Sequence, residues 1–262
     1  MSLGLGFLVA GVVAFVAFRL GSLTLSGAVA AVVVGGLTFG AGGPLAAVML
    51  LLFFISSSAL SRLGPGSKRL LAAQFEKTGR RDQAQVFANG GVAAGLALAY
   101  GLTSEPALLV GLAGALAAAN ADTWATEIGV LSRRRPWLIT TGRQVPPGTS
   151  GAVSAQGIAA AAAGAGLIAV IAGWGLQSAA AAAAVLVAGL AGTTVDSVLG
   201  STVQAIFFCP TCAKETERHP LHLCGTATTH LRGWAWLRND EVNLVASVIG
   251  ASVAALIWTL AG

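Results

Sequence analysis

The sequence predicts an all-α polytopic integral membrane protein with about eight transmembrane helices and a small cytoplasmic loop that contains cysteine and histidine. Of the 262 residues, 55% are hydrophobic and 10% are charged, whereas soluble domains carry roughly a quarter charged residues. The mean hydropathy is +0.80. The 35 glycines and the alanine runs are typical of membrane helices that approach one another closely. We interpret the net charge of +5 as a positive-inside bias, so no nucleic-acid partner is expected.

Eight apolar stretches have the length of roughly 20 residues that a bilayer crossing requires. The first two alternatively form a single hairpin, and the fifth and seventh continue into polar motifs. We expect one integral membrane domain over residues 1–262, interrupted by a cytoplasmic loop at 207–240. The predicted crossings are residues 3–18, 23–40, 44–60, 86–103, 106–126, 152–173, 179–204 and 241–260.

All 15 lysine and arginine residues fall in alternate connections, namely those after the first, third, fifth and seventh stretches. The other connections, near residues 41–43, 102–106 and 174–178, carry no basic residue. The positive-inside rule therefore predicts a cytoplasmic basic side, with both termini on the opposite side. We expect the plasma or inner membrane of a prokaryote, with the functional site at the cytoplasmic face.

Three carboxylates, those of Asp122, Glu127 and Asp196, lie at the cytoplasmic ends of apolar stretches. An ionised carboxylate at that depth costs free energy unless it meets a metal, a basic partner or water. Mg²⁺ is commonly held by one or two carboxylates together with substrate phosphates, so we expect these three to bind Mg²⁺ and to act in catalysis. The alternative is that Asp122 or Glu127 pairs with an arginine of the run 133–135.

The first two carboxylates belong to one segment, residues 120–127. Asp122 and Thr126 share a helix face because they are four residues apart. Glu127 is five residues from Asp122, which is about 140° round an ideal helix. Both carboxylates reach one ion only if the helix ends or unwinds between them. Because Gly129 favours a helix end, we expect the helix to end or unwind near Glu127. The other polar side chains of the segment are candidate substrate-binding groups: Asn120, Thr123 and Thr126.

A loop rich in glycine, proline and hydroxyl groups, residues 138–151, follows this segment and opens the sixth stretch. Glycines let backbone N–H groups approach an anion, and the helix that follows offers its positive N-terminal end. Arg143 suits a phosphate through its planar guanidinium group, and we expect it to be catalytic. The alternative is an ordinary turn with a Ser or Thr helix cap. The candidate phosphate-binding residues are Thr140, Thr141, Gly142, Pro147, Gly148, Thr149, Ser150 and Gly151.

Three smaller clusters complete the candidate substrate-binding residues. Small residues share a helix face with Asp196, which leaves space for a ligand or for a closely packed helix. Basic and amide groups stand at the mouths of the fourth and eighth stretches, where the alternative is helix capping or contact with lipid headgroups. The residues concerned are Ser197 and Gly200, then Arg80, Arg81, Gln85 and Asn89, and finally Asp240 and Asn243.

All three cysteines lie in the loop between the last two stretches. The knuckle Cys209-Pro-Thr-Cys212 and the following His222 and Cys224 predict a tetrahedral Cys₃His site for structural Zn²⁺. The alternative is a reduced hairpin without metal. A redox pair is disfavoured because no thioredoxin-type βαβ pattern surrounds the knuckle.

Several of these motifs resemble the domain of unknown function 92 family, also called the transmembrane protein 19 family. The resemblance covers the chain from about residue 80 to the end, and the first 60 residues match only in being hydrophobic. The matching segments are Gln85–Gly90, Asn120–Gly129, Thr140–Gly151, Asp196–Gly200 and Arg232–Asp240.

That family includes the plant chloroplast phytyl-phosphate kinase. The resemblance therefore implies Mg²⁺-dependent phosphoryl transfer from a nucleoside triphosphate, CTP or another, to an isoprenoid monophosphate in the lipid bilayer, which gives the diphosphate. It also implies that Asp122, Glu127 and Asp196 serve the metal and that Thr140–Gly151 serves the phosphate.

Two other functions remain open from the residues alone. A nucleotidyl transferase that acts on a lipid phosphate would use the same metal and the same loop. A transporter of lipids or isoprenoid phosphates would suit intramembrane acids. Transporter sites usually lie near the bilayer midplane between inverted repeats, whereas the polar groups of this sequence cluster at one face.

Overall fold

The structure, a computed structural model, describes residues 2–63, 73–75 and 79–261. This part of the chain is mostly helical, with seven helices and two small antiparallel sheets. Strand β1 pairs with β2, and β3 lies between β4 and β5. The helices are α1 (Leu3–Arg19), α2 (Leu25–Ser61), α3 (Gln83–Thr103), α4 (Pro106–Gly129), α5 (Ala155–Gly175), α6 (Ala179–Thr202) and α7 (Asn239–Ala261). The strands are β1 (Trp137–Leu138), β2 (Ala152–Val153), β3 (Ile206–Cys209), β4 (Lys214–Thr216) and β5 (Thr229–Arg232).

The predicted class of polytopic membrane protein is confirmed, but the count of eight separate helices is not. Six of the described helices are long and apolar enough to cross a membrane, and α1 is a shorter apolar helix of 17 residues. Helix α2 holds both the second and the third predicted crossings. It is interrupted at Gly43, whose φ of 77° and ψ of −172° are not helical, and Pro44 follows. Glycine adopts this backbone conformation readily, and proline cannot continue the hydrogen-bond ladder of the preceding helix.

The two ends of α2 lie side by side. Arg81 accepts a hydrogen bond from the backbone N–H of Thr24, which precedes α2, at 3.0 Å. The same arginine donates to the hydroxyl of Ser58 near the end of α2 at 2.9 Å. A straight helix of this length would separate its ends by about 55 Å. The chain therefore reverses at Gly43, and α2 is a helical hairpin without a connecting loop.

Polar caps fix where the helices begin. Ser154 accepts from the backbone N–H of Gly157 at the start of α5, at 3.1 Å. Asp82 and Gln85 form a reciprocal capping box at the start of α3. Such caps satisfy backbone donors that the first turn of a helix leaves unpaired. They set the ends of the helices that border the predicted site.

Helix α4 occupies the centre of the bundle. Every residue from Leu109 to Ala121 is buried, and α4 contacts α2, α3, α5, α6 and α7. Small residues permit this packing: an added Cβ at Gly114 would collide with the carbonyl oxygen of Gly250 on α7. Asp122 and Glu127 lie in the last two turns of α4, so the packing of α4 also positions two of the predicted carboxylates.

The connections that are rich in basic residues meet at one end of the bundle, which we call the polar end. It consists of residues 19–24, 62–63, 73–75, 79–82, 130–154 and 203–238. Contacts link these segments: Arg62 donates to the carbonyl of Leu20 at 3.0 Å, and the backbone N–H of Glu217 donates to the carbonyl of Gln74 at 2.7 Å. The turns at Gly43 and Leu176 lie at the other end, where Gly175 packs against Leu45.

Candidate functional site

A cavity of about 380 Å³ opens at the polar end, where α4, α5 and α6 meet the loop 130–154. This volume is within the range of small-molecule sites, roughly 300–1,000 Å³. Its lining combines carboxylates, hydroxyl groups and the second half of the predicted phosphate loop. The polar residues of the lining include Asp122, Thr126, Thr193, Asp196, Ser197 and Glu217.

Asp122 of α4 and Asp196 of α6 face each other in this cavity. The charges of the two carboxyl groups interact with each other, and Thr193 donates to Oδ1 of Asp122 at 3.4 Å. The Oδ2 atom of Asp196 is buried and accepts no hydrogen bond from the described residues. Two carboxylates this close repel unless a proton or a cation lies between them. The donor set, hard oxygens with one buried oxygen unsatisfied, fits a divalent cation such as Mg²⁺.

Glu127 lies on a different face of α4. Its Oε1 accepts a hydrogen bond from the hydroxyl of Ser61 at 2.5 Å, and its charge interacts with that of Arg81. Helix α4 ends at Gly129, two residues after Glu127, which agrees with the expected end near Glu127. It stays helical between Asp122 and Glu127, however, so there is no break there that would let both carboxylates reach one ion. The helical rotation between the two positions therefore turns Glu127 towards α2 and away from Asp122.

The predicted phosphate loop is divided into two parts. Residues 147–151 line the cavity, together with the start of α5. Residues 140–143 form an exposed turn outside the lining, in which the backbone N–H of Leu138 donates to the carbonyl of Arg143 at 2.9 Å. Pairing of β1 with β2 closes the loop, because Trp137 lies opposite Val153. The structure thus brings the second half of the loop to Asp122 and Asp196, and places Thr140, Thr141, Gly142 and Arg143 elsewhere.

The loop rests directly on α6. Gly151 has φ +75°, and an added Cβ would meet the carbonyl of Ser197 and the backbone of Ser201. Ser150 donates its hydroxyl to Oε1 of Gln204 at 2.9 Å, and Gly200 packs against the same serine. Of the small-residue cluster on α6, Ser197 lines the cavity, and Gly200 makes room for the loop.

Two polar residues of the α4 segment serve packing in this structure. Asn120 is fully buried and donates to the carbonyl of Gly164 on α5 at 2.8 Å. It also accepts from the hydroxyl of Ser56 on α2 at 3.2 Å, so it ties three helices together. Thr123 bonds the carbonyl of Ala119 within its own helix at 2.8 Å. Thr126, in contrast, lines the cavity beside Asp122.

The cluster at the mouth of α3 lies at a second, apolar cavity of about 70 Å³ between α1, α2 and α3. Arg81, Gln85 and Asn89 line it, and Arg80 donates to the carbonyl of Leu23 at 2.9 Å. Asp122 and Asp196 belong to the larger cavity instead.

At the start of α7, Asp240 lies in the first turn, and Asn243 donates to the carbonyl of Asn239 at 2.9 Å. Asn239, which precedes both of these predicted residues, is the residue of this turn that lines the larger cavity.

The four predicted metal ligands of the Cys/His loop come together. Ligand atoms of Cys209, Cys212, His222 and Cys224 all lie within 4.8 Å of one another. A side-chain hydrogen bond with Thr226 lowers the pKa of Cys224 to about 5, which favours the thiolate that binds metals. A hydrogen bond with Cys224 and burial raise the pKa of Cys212 to about 11. These four residues are close enough together that they could hold one metal ion.

The sequence reasoning missed Glu217 and Gln204, which both line the larger cavity. Gln204 is the last residue of a predicted crossing. It is therefore a polar side chain at the cytoplasmic end of an apolar stretch, which is the same pattern that marked Asp196. Glu217 stands in a polar loop five residues after Cys212, where nothing in the local pattern marks a residue that enters a cavity among helices. The tertiary fold brings it there.

Comparison with known proteins places this architecture in a family. The chain matches the family described as Integral membrane protein DUF92 over residues 8–251. It is 34% identical over 268 residues to Protein PGR of Arabidopsis thaliana, an alignment that covers 92% of this chain and 91% of that protein. An uncharacterized membrane protein of Synechocystis is 30% identical over 211 residues, covering 79% and 71% of the two chains. Protein VTE6, chloroplastic, of Arabidopsis thaliana is 26% identical over 242 residues, covering 89% and 65%. No solved structure matches the chain. By sequence, helical architecture and motifs, this chain belongs to the DUF92 family of integral membrane proteins.

Proposed function

We propose that this protein is a membrane prenyl-phosphate kinase, which transfers a phosphoryl group from a nucleoside triphosphate such as CTP to an isoprenoid monophosphate. The observation that carries the proposal is the cavity in which Asp122 and Asp196 face the glycine-containing residues 147–151. Such a site joins cation-binding carboxylates to a phosphate-binding loop. The resemblance of its motifs to a family that includes the plant chloroplast phytyl-phosphate kinase supports the same chemistry, and the chain is also similar to the chloroplastic Protein VTE6.

In this proposal the cavity receives the triphosphate of the nucleotide. Backbone N–H groups of Gly148, Ser150 and Gly151 and the N-terminus of α5 bind its phosphate oxygens, and Arg134 at the rim adds positive charge. Asp122 and Asp196 would hold Mg²⁺, which would supply positive charge to neutralise the charge that develops during phosphoryl transfer. Glu127 is assigned to the contact with Arg81 and Ser61, outside the metal site.

The acceptor enters from the bilayer, with its apolar tail among helices rich in small residues and its monophosphate at the polar end. An oxygen of this phosphate attacks the γ-phosphorus, the bond from that phosphorus to the β-phosphate oxygen breaks, and a nucleoside diphosphate leaves. The acceptor is already ionised at neutral pH, so the site requires no strong general base. Positioning and charge neutralisation carry the reaction.

The proposal also includes orientation and a structural metal. The polar end faces the cytoplasm of a prokaryotic plasma or inner membrane, because the basic residues gather there. The Cys/His cluster holds Zn²⁺, whose usual ligands are thiolates and imidazoles. Metal analysis of the purified protein is expected to find one zinc per chain, which is lost on removal of Cys212.

The reaction is tested with purified protein in lipid nanodiscs, a labelled prenyl monophosphate and each nucleoside triphosphate in turn. We expect a prenyl diphosphate and a nucleoside diphosphate in equal amounts, and no product when Mg²⁺ is chelated. The Asp122→Asn variant is expected to be inactive. Glu105→Gln, a change at the opposite end of the bundle, serves as the matched control and is expected to retain activity.

Each alternative function gives a different result in the same assay. Release of pyrophosphate would indicate a nucleotidyl transferase and contradict the kinase proposal. Absence of product with every prenyl phosphate and nucleotide, together with uptake of prenyl phosphate into vesicles, would indicate a transporter.

A further inference from the structure

We propose that Gln204 is a positioning residue of the nucleotide site, which holds residues 147–151 in the conformation that binds the triphosphate. Gln204 lies at the junction between α6 and β3, where the membrane helices meet the extramembrane sheet. The inference rests on the proposed function for the identity of the bound anion. It assigns a role in nucleotide binding to a side chain that acts through the loop and not by contact with the nucleotide.

The backbone of Gln204 is fixed on both sides. Its N–H donates to the carbonyl of Leu199 on α6 at 2.9 Å, and the N–H of the next residue, Ala205, donates to the carbonyl of Leu237 at 2.8 Å. The carbonyl of Gln204 lies against Gly233, where an added Cβ would collide with it. The residue is 2% exposed, so its side chain extends from a buried and well-anchored position.

The two ends of the Gln204 amide have different partners. Nε2 donates to Oε1 of Glu217, which follows β4, at 3.0 Å. The amide oxygen accepts from the hydroxyl of Ser150 at 2.9 Å. An ionised carboxylate accepts hydrogen bonds and donates none, so Glu217 keeps Nε2 on its own side and turns the amide oxygen towards the loop. The extramembrane sheet thereby orients Gln204, and Gln204 presents an acceptor to Ser150.

The bond to Gln204 uses the hydroxyl hydrogen of Ser150 and leaves backbone donors of the loop available to a ligand. In the part of the chain that the structure describes, the backbone N–H groups of Ser150 and Gly151 donate to no protein acceptor. The N–H of Thr149, in contrast, donates to the carbonyl of Pro146 at 3.3 Å. Successive backbone N–H groups at a turn are the donors that anion-binding loops use. Holding the Ser150 side chain therefore sets the direction of two such donors.

Gly200 provides the space for this contact. It lies one turn before Gln204 on α6. An added Cβ there would lie 2.8 Å from the Ser150 hydroxyl, 2.9 Å from the backbone nitrogen of Gly151 and 3.2 Å from Oε1 of Gln204. The three atoms therefore converge on the surface that Gly200 leaves open. Glycine permits this close approach but has no side chain to hold it, so the bond from Ser150 to Gln204 is the directional contact of the interface.

The test measures binding of the β,γ-methylene analogues of ATP, CTP, GTP and UTP, with Mg²⁺ present and the full chain in nanodiscs. Gln204→Met keeps the length of the side chain but removes both hydrogen-bonding ends. It is expected to weaken the affinity for the analogue that the wild type binds most tightly by about 5- to 20-fold. Gln83→Met makes the same change at an exposed glutamine at the start of α3 and is expected to bind as the wild type does.

A double-mutant cycle separates positioning from a general loss of structure. Ser150→Ala is expected to weaken binding by a similar factor. Because both side chains act through one hydrogen bond, the double variant is expected to bind within about twofold of the weaker single variant. The KM for the nucleotide should rise while the KM for the prenyl monophosphate stays unchanged. Thermal unfolding of each variant checks that the fold is retained.

The outcomes distinguish this inference from the proposed function. Unchanged affinity in Gln204→Met, or losses that add in the double variant, would overturn the positioning role. If prenyl diphosphate forms under either of those results, the kinase proposal stands alone. If the cycle behaves as expected but no prenyl diphosphate forms, the kinase proposal fails while this inference stands. A wild type that binds none of the four analogues would overturn both.

Discussion

Because the phosphate loop packs tightly against α6 at Gly151, we expect that adding one methyl group there weakens nucleotide binding. Gly151 has a left-handed backbone conformation, and its α-carbon lies against the backbone of Ser197 and Ser201. In Gly151→Ala the left-handed conformation costs about 1 kcal/mol, and the displacement needed to relieve the collision costs about 1–3 kcal/mol more. Gly21→Ala is the matched control, because Gly21 has φ +73° but nothing within 4 Å of an added Cβ.

The difference between these two variants isolates the collision from the backbone strain. If the loop must move away from α6 to accommodate the methyl group, the free energy of nucleotide binding becomes about 1–3 kcal/mol less favourable. This change corresponds to about 5- to 150-fold weaker nucleotide binding. Equilibrium binding of a fluorescent nucleotide to purified protein measures this change. Equal nucleotide affinity in the two variants would refute the assignment of residues 147–151 to the triphosphate.

Three further outcomes are expected. Asp196→Asn should lower the rate of Mg²⁺-dependent product formation by about 100-fold or more, while the protein still purifies as a folded species. A rate within a few fold of the wild type would contradict the proposed role of Asp196. Glu127→Gln should lower the free energy of unfolding by about 1.5–3 kcal/mol, because it weakens the interaction with Arg81. The Mg²⁺ concentration for half-maximal activity should stay unchanged. A change in that concentration would indicate that Glu127 does bind the metal. Gly43→Ala should lower thermal stability through about 1–3 kcal/mol of backbone strain, whereas Gly95→Ala, in a helix with open space around it, should not; equal stability would contradict the reversal at Gly43.

The membrane fold was predictable because its cause is compositional. A chain with 10% charged residues cannot cover a soluble surface, and each apolar stretch has the length of a bilayer crossing. The stretches 23–40 and 44–60 were predicted as separate crossings, and they occur as the two arms of α2. Their continuity across Gly43 and Pro44 depends on backbone angles, which hydropathy does not report.

The site was predictable only in part. Asp122 and Asp196 were recognised because carboxylates are rare in apolar helices and costly there. Sequence spacing gave the rotation between Asp122 and Glu127, but the direction in which Glu127 points follows from the packing of α2 and Arg81 against α4. Glu217 lies outside the helices, so no burial signal in its own segment predicts its approach to Asp196.

The burial of α4 has a consequence for how the protein is assembled in the membrane. The most apolar window of α4 has a hydropathy of 1.3, the lowest of the six candidate crossings, and 72% of it is buried, the highest share. Such a segment partitions weakly into lipid by itself, so its insertion is expected to be completed together with partner helices and not one helix at a time. Once assembled, its five neighbours separate it from the acyl chains. A change in bilayer thickness therefore alters the position of Asp122 only indirectly, by changing the tilt of the neighbouring helices.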